Sequence, residues 1–347
     1  MLPFSSLGCR KPDFENLLKV LRRERPERPT LFELFLNDPL NRKLAGEEIA
    51  SRTDRLAPLR LWIHAYTNAG YDYATVPFWH LGLEMFPAGE IEKKQTISLN
   101  AGRMITDWES FESYPWVNPG SLDFTSLEQL GTELPFGMKL IVCGPGGVLE
   151  NAISLMGFET LCLLLADSPK LVHALFDAIG LRLVQYYEIC CGFPSVGAAI
   201  SNDDWGFKTQ TMLKPADLRR YVFPWHQKIV EAIHDAGKPA ILHSCGHFTG
   251  VMEDIIEEMK SDARHSYEDN IMPVEEAYER YASRIAILGG IDVDFMVRAK
   301  PEDIYRRAKL LLERSETRGG YALGTGNSVP EYIPEENYFA MLRAALE

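Results

Sequence analysis

Ala240-Ile-Leu-His243-Ser-Cys245-Gly-His247 is the most informative stretch of this chain. An apolar run of strand character ends in two strong metal ligands, and Gly246 then leads toward a helix expected near Thr249. Alternate residues on a strand point the same way, so His243 and Cys245 are able to converge on one ion. In a (β/α)₈ barrel the carboxyl ends of the strands face the active site, which gives the pair a functional position. A neutral imidazole and a thiolate suit Zn²⁺, whose catalytic sites keep one position open for substrate. Two ligands do not complete such a site. The same residues also fit a hydrogen-bonded core histidine with an inert buried cysteine, although the strand-end position beside Gly246 favours function. His247 is expected to flank the following helix.

Along the rest of the chain, short apolar β-branched runs alternate with amphipathic segments, which predicts βα units and a parallel sheet. The expected strands are Thr30–Leu36, Tyr73–Pro77, Lys139–Cys143, Ala198–Ser201, Ala240–His243 and Ile285–Gly289. Helices are expected over Pro169–Cys190, Pro215–Ala236, Val251–Met259, Val274–Tyr281 and Pro301–Ser315, several opening with Pro and acids in the first turn. The fold class predicted is α/β, a TIM-type (β/α)₈ barrel, as one domain over residues 1–347. An insertion from Phe86 to about Pro135 breaks the rhythm, with Trp108, Trp116 and clustered polar residues.

The composition suits a globular enzyme: 347 residues, 46% hydrophobic and 24% charged. A net charge of −13 argues against a nucleic-acid partner, which needs a basic surface. The six cysteines lack the density of a disulfide scaffold, which points to a reducing cytoplasm. No apolar run approaches a membrane span or a signal-peptide core, so neither export nor embedding is expected. Without a Gly-rich loop followed by Lys-Ser/Thr, ATP chemistry is not expected.

Other strand ends supply further candidates. Ser201-Asn-Asp203-Asp204-Trp-Gly206 offers acids to orient substrate, exchange protons or bind metal; an Asx turn or helix cap fits equally well. Glu33 lies inside the apolar run Leu31–Leu36, where an ionised carboxylate is costly unless paired or metal-bound. Trp79 and His80 follow a strand and suit an aromatic substrate wall, with core packing as the alternative for Trp79. Glu268 belongs to His265-Ser-Tyr-Glu268-Asp269 and points to the same mouth. Glu150 follows the Gly144-Pro-Gly-Gly147 turn, where helix initiation competes with catalysis.

At these residues the chain resembles the uroporphyrinogen decarboxylase-like superfamily, which includes the heme-pathway decarboxylase and corrinoid-dependent methyltransferases. The similarity runs from Arg28-Pro-Thr-Leu-Phe-Glu33 to Gly324-Thr-Gly-Asn-Ser-Val-Pro330. Its most specific pieces are Asn202-Asp-Asp-Trp-Gly206 with Pro215 and Tyr221-Val-Phe-Pro224, then His243-Ser-Cys245-Gly, then Leu288-Gly-Gly-Ile-Asp292. The decarboxylase branch implies an Arg-rich R-Q-A-G-R signature after the first strand, where this chain has Glu33-Leu-Phe-Leu-Asn-Asp38. Its catalytic Asp is replaced by Pro77-Phe-Trp-His80.

The methyltransferase branch implies zinc held by His-x-Cys and a later Cys. His243 and Cys245 match the first two, whereas the third place falls at Thr325. Glu33 is the expected replacement ligand, with an acid near Asp204 or Glu268 as alternatives. A site with fewer sulfurs is harder and more Lewis-acidic, which suits a methyl ether better than a thiol. The resemblance therefore implies a cytoplasmic, Zn²⁺-dependent methyltransferase of O-demethylase type. It would work between a small methylated substrate and a corrinoid carried by a partner protein. In it Asp204 and Glu150 are catalytic, Asp203, His80, Trp79 and Glu268 bind substrate, and His243, Cys245 and Glu33 bind metal. The alternatives are a uroporphyrinogen-type decarboxylase and a non-catalytic corrinoid-binding barrel.

Overall fold

The computed structural model describes residues 10–87, 99–100 and 104–347. Seven parallel strands follow one another in chain order: β1 (Tyr73–Pro77), β2 (Lys139–Cys143), β3 (Val196–Asn202), β4 (Ala240–His243), β5 (Ala263–His265), β6 (Ala286–Leu288) and β7 (Tyr321–Ala322). Parallel neighbours require crossover connections, and helices supply them. Both faces of such a sheet are covered, which is why β4 reads as a continuous apolar run and is buried at every residue. The architecture is the predicted TIM-type barrel.

The eighth position is filled differently from a regular strand. Residues 30–36 bridge toward the end of the chain, Leu31 to Leu323 and Leu36 to Val329, and Phe32 N donates to Leu323 O at 2.8 Å. On the side facing β1, the Tyr73 hydroxyl stands where a backbone ladder belongs. It accepts from Glu33 N and donates to Glu33 O, both at 2.7 Å. The expected Thr30–Leu36 strand is thus present only as isolated bridges on one side and is joined to β1 through the Tyr73 hydroxyl on the other.

Two further expectations change. The predicted helix from Pro215 is divided into a short turn, a π-helical segment Leu218–Val222 and the helix Phe223–Asp235. Pro224 lacks an N–H and crowds the carbonyl four residues earlier, so the irregular turn sits where its ring enters the helix. The helix expected over Val251–Met259 contains a π-helical segment at Asp254–Glu258. Of the predicted insertion, Trp108–Ser113 and Thr125–Glu133 are helical, while residues 88–98 and 101–103 lie outside the described residues. Among the described residues no single helix is long and apolar enough to cross a membrane; Val148–Met156 and Phe158–Asp167 satisfy length and composition only as a pair bent by 95°.

A candidate metal centre at the ends of β3 and β4

Strand register places Asn202 beside His243 and His243 beside His265. Just beyond this row, one ligand atom each from Asp204, His243 and Cys245 lies within 4.8 Å of the others. Cys245 Sγ is 3.8 Å from His243 Nε2. Tetrahedral Zn²⁺ with its usual Zn–N and Zn–S bonds separates two such ligands by about 3.6 Å, so the pair is already spaced for a shared ion. Asp204 Oδ1 accepts the Cys245 N–H at 2.8 Å, and a carboxylate oxygen of Asp204 is the third ligand atom of the group. The two loops carrying these residues touch through glycine: Gly246 has φ +100°, and a Cβ there would lie 2.2 Å from Gly206 O. No other residue permits that approach.

Hydrogen bonds define which nitrogen of His243 is free. Thr325 O lies 3.2 Å from His265 Nε2, and a carbonyl only accepts, so His265 carries its proton on Nε2. Burial holds His265 down to about 4 and His243 well below its usual range, so both rings are neutral. His265 Nδ1 is then an acceptor, and His243 donates to it from Nδ1 at 2.8 Å. The lone pair of His243 Nε2 consequently faces Cys245. Fixing a ligand imidazole through its other nitrogen is the usual way a protein orients a metal-binding histidine.

The thiol is held just as firmly. Ser266 Oγ and Asn327 Nδ2 each donate to Cys245 Sγ at 3.3 Å. Burial, and then the neighbouring charge of Asp204, push the thiol up to about 12; burial also raises Asp204. These shifts describe a donor set that is uncomfortable as anions without a cation, and a bound divalent cation reverses both. Ser266 takes φ +88°, a left-handed conformation unusual outside glycine, in presenting its hydroxyl.

The remaining predicted residues go to different places. Glu33 is not part of the donor group. It is fully buried, and its two oxygens meet Thr325, Oε1 accepting from the Thr325 N–H at 2.8 Å and Oε2 lying 2.6 Å from Thr325 Oγ1. The third donor beside His243 and Cys245 is thus Asp204. Asp203 does not face the mouth: it is 0% exposed, accepts from Leu149 N and Glu150 N at 2.9 Å, and pairs with His226 Nε2 at 2.9 Å. It caps the helix Val148–Met156 from outside. His226 Nδ1 in turn lies 3.0 Å from Ser201 Oγ. That order resembles a hydrolytic triad, but all three residues are at most 3% exposed and sealed from substrate.

Glu150 accepts from Gly147 N at 2.8 Å, a helix-initiating role, and from Asn202 Nδ2 at 3.2 Å; burial, with Asp203 nearby, raises it to about 8. Glu268 lines a cavity of about 20 Å³ with Gly246, Arg264 and Ser266, room for one water. Trp79 is 49% exposed and packs edge-on against Phe35 at 5.2 Å. His80 stands edge-on to Trp62 at 4.9 Å beside a cleft that also includes Asn41. His265, Ser266 and Asn327 were not singled out from sequence. The signal for His265 is its strand-end position one strand along from His243, hidden because β5 has only three residues.

Residues 63–347 match the family described as uroporphyrinogen decarboxylase (URO-D). Among curated proteins, the uroporphyrinogen decarboxylase of Anaeromyxobacter sp. (strain Fw109-5) is 26% identical over 208 residues, 58% of this chain and 56% of that protein. That of Syntrophotalea carbinolica is 26% identical over 138 residues, 39% of this chain and 37% of that one. The alignments thus span about half the length of these relatives, or less. Among solved structures, a methyltransferase from Methanosarcina mazei superposes with a TM-score of 0.70 at 13% identity, covering 95% of this chain and 97% of that one. At that identity the likeness concerns the fold.

Proposed function

Since the chain belongs to the uroporphyrinogen decarboxylase family, we propose that it is a metal-dependent methyltransferase of that family, acting between a small methylated substrate and a corrinoid protein. The observation that carries this reading is the Asp204, His243 and Cys245 group, with its imidazole lone pair and thiol aimed at one point. Those three residues would hold Zn²⁺, which supplies Lewis acidity toward the oxygen of a methyl ether. His265 orients His243, and Ser266 and Asn327 orient the thiol and stabilise its charged form. Cys245 gives up its proton on loading, so affinity rises with pH. Trp79 and His80, at the end of β1, furnish aromatic surface for the organic part of the substrate.

The names of the sequence relatives favour decarboxylation instead. That chemistry needs guanidinium groups for a polycarboxylate, and the segment that would carry them holds the buried Glu33. The deciding experiment is elemental analysis of protein purified without chelator, followed by cob(I)alamin spectroscopy with methoxylated aromatics, methanol and methylamines. One zinc per chain, lost in His243→Ala, together with a corrinoid spectral change is the expected result. Zinc-free protein that releases carbon dioxide from uroporphyrinogen would sink the reading, and zinc-free protein that binds a corrinoid without turnover would make it a binding barrel.

A further inference from the structure

Glu33 sits at the root of a hydrogen-bond tree whose two branches end on two of the three donors. Thr325 Oγ1 lies 2.6 Å from Glu33 Oε2 and 2.5 Å from Asn327 O. A hydroxyl has one proton and cannot donate to both oxygens, and of the two acceptors only the carboxyl is able to carry a proton of its own, so with both contacts short the Thr325 proton goes to Asn327 O. The short contact to Oε2 then requires a proton on the carboxyl side. Resting on the reading of Asp204, His243 and Cys245 as a metal centre, we propose that Glu33 is its positioning residue. It acts as a neutral acid that donates to Thr325 and through it holds His243 and Cys245 in ligand orientation.

The first branch runs through the Thr325 carbonyl. It accepts from His265 Nε2, and His265 Nδ1 accepts from His243 Nδ1, leaving Nε2 of His243 for the ion. The second runs through the Thr325 hydroxyl to Asn327 O; the Asn327 amide, its Oδ1 tied to Ser328 N at 2.7 Å, donates from Nδ2 to Cys245 Sγ. Thr325 is 0% exposed and flanked by glycines pressed against other backbones: a Cβ on Gly324 would meet Phe32 O, and one on Gly326 would meet Tyr267 O. Backbone hydrogen bonds also hold this loop, Gly290 N to Thr325 O at 2.9 Å and Gly326 N to Ile291 O at 2.6 Å, so what Glu33 adds is the anchoring of the Thr325 N–H and hydroxyl. Burial of Glu33, which raises it to about 8, agrees with the neutral form.

Glutamine reproduces the neutral acid at this position, with its carbonyl accepting from Thr325 N and its amide donating to Thr325 Oγ1. The full chain is prepared metal-free as wild type, Glu33→Gln, Glu33→Leu and Thr325→Val, and titrated with Co²⁺ against a competing chelator while the visible d–d absorption is recorded. Glu33→Gln should bind within about threefold of wild type with the same spectrum, whereas Glu33→Leu and Thr325→Val should bind about 10–100-fold more weakly with altered bands. If Glu33→Leu fails to fold, the other two variants decide. Wild-type affinity in Thr325→Val would overturn the proposal, and so would Glu33→Gln binding as weakly as Thr325→Val, which would mean that the charged carboxylate is required. A wild-type chain that gives no Co²⁺ spectrum would overturn the metal centre itself, a distinct failure.

Discussion

Asp203 and Asp204 leave β3 side by side and serve opposite ends. Around Asp203 the chain builds a closed hub: two backbone N–H groups of one helix, His226 and Ser201, all sealed from solvent. Around Asp204 it builds an open one, in which a carboxylate with one oxygen spoken for faces an imidazole lone pair and a thiol. The difference is a matter of saturation. A carboxylate whose oxygens are filled by backbone donors is architecture, and one left short beside soft donors is poised for a cation.

The sharpest way to break this contrast is Asp203→Ala. It leaves two buried N–H groups and His226 without their partner, and the expected loss of stability is about 3–5 kcal/mol, read by urea unfolding. An Asp203 variant with normal stability and weakened metal binding would reverse the assignment of the two acids. A second test uses Glu33, which is raised from its ordinary 4.5 to about 8 by burial. Between those values the folded chain keeps a proton that the unfolded chain releases, so the contribution of this group is complete below pH 4.5 and is lost as pH rises toward 8. Metal-free Glu33→Gln lacks the effect, and its stability relative to wild type should grow by about 1.4 kcal/mol per pH unit between pH 5 and 8. The phenols facing Glu33 (Tyr66, Tyr71, Tyr73, Tyr321 and Tyr338) are held above their ordinary range by burial and stay neutral in this window. A flat difference would show that Glu33 is ionised in the fold. The smallest expected effect is Asp204→Asn, which keeps an oxygen for the Cys245 N–H while weakening the donor set. Metal affinity should fall about tenfold, equivalent to about 1.4 kcal/mol, with unfolding of the metal-free protein nearly unchanged.

The barrel was legible because parallel strands buried on both faces write themselves as apolar runs, and Lys139–Cys143 and Ala240–His243 keep their predicted bounds. β5 and β7, at three and two residues, are too short to leave a pattern. At the site, His243 and Cys245 were readable because spacing of two on a strand implies convergence. Their partners were not, since His265 and Ser266 reach them from the end of β5 and Asn327 from beyond β7. Glu33 shows where composition misleads: a buried acid in an apolar run suggested a metal ligand, and the structure satisfies it with Thr325. Asp203 and Asp204 are chemically identical in sequence, and only the alternation of the chain as it leaves β3 separates them.

The backbone contact between Gly206 and Gly246 bears on how quickly and how tightly an ion is held. With a further clasp from His247 N to Phe207 O at 2.9 Å, the two donor-bearing loops form one stiff unit. Little chain disorder is left to freeze when a cation arrives, so capture resembles docking into a finished mould more than the closing of a flexible clamp. Any added side chain at either glycine would prise the loops apart and turn a rapid, rigid capture into a slow one that has to organise its own ligands.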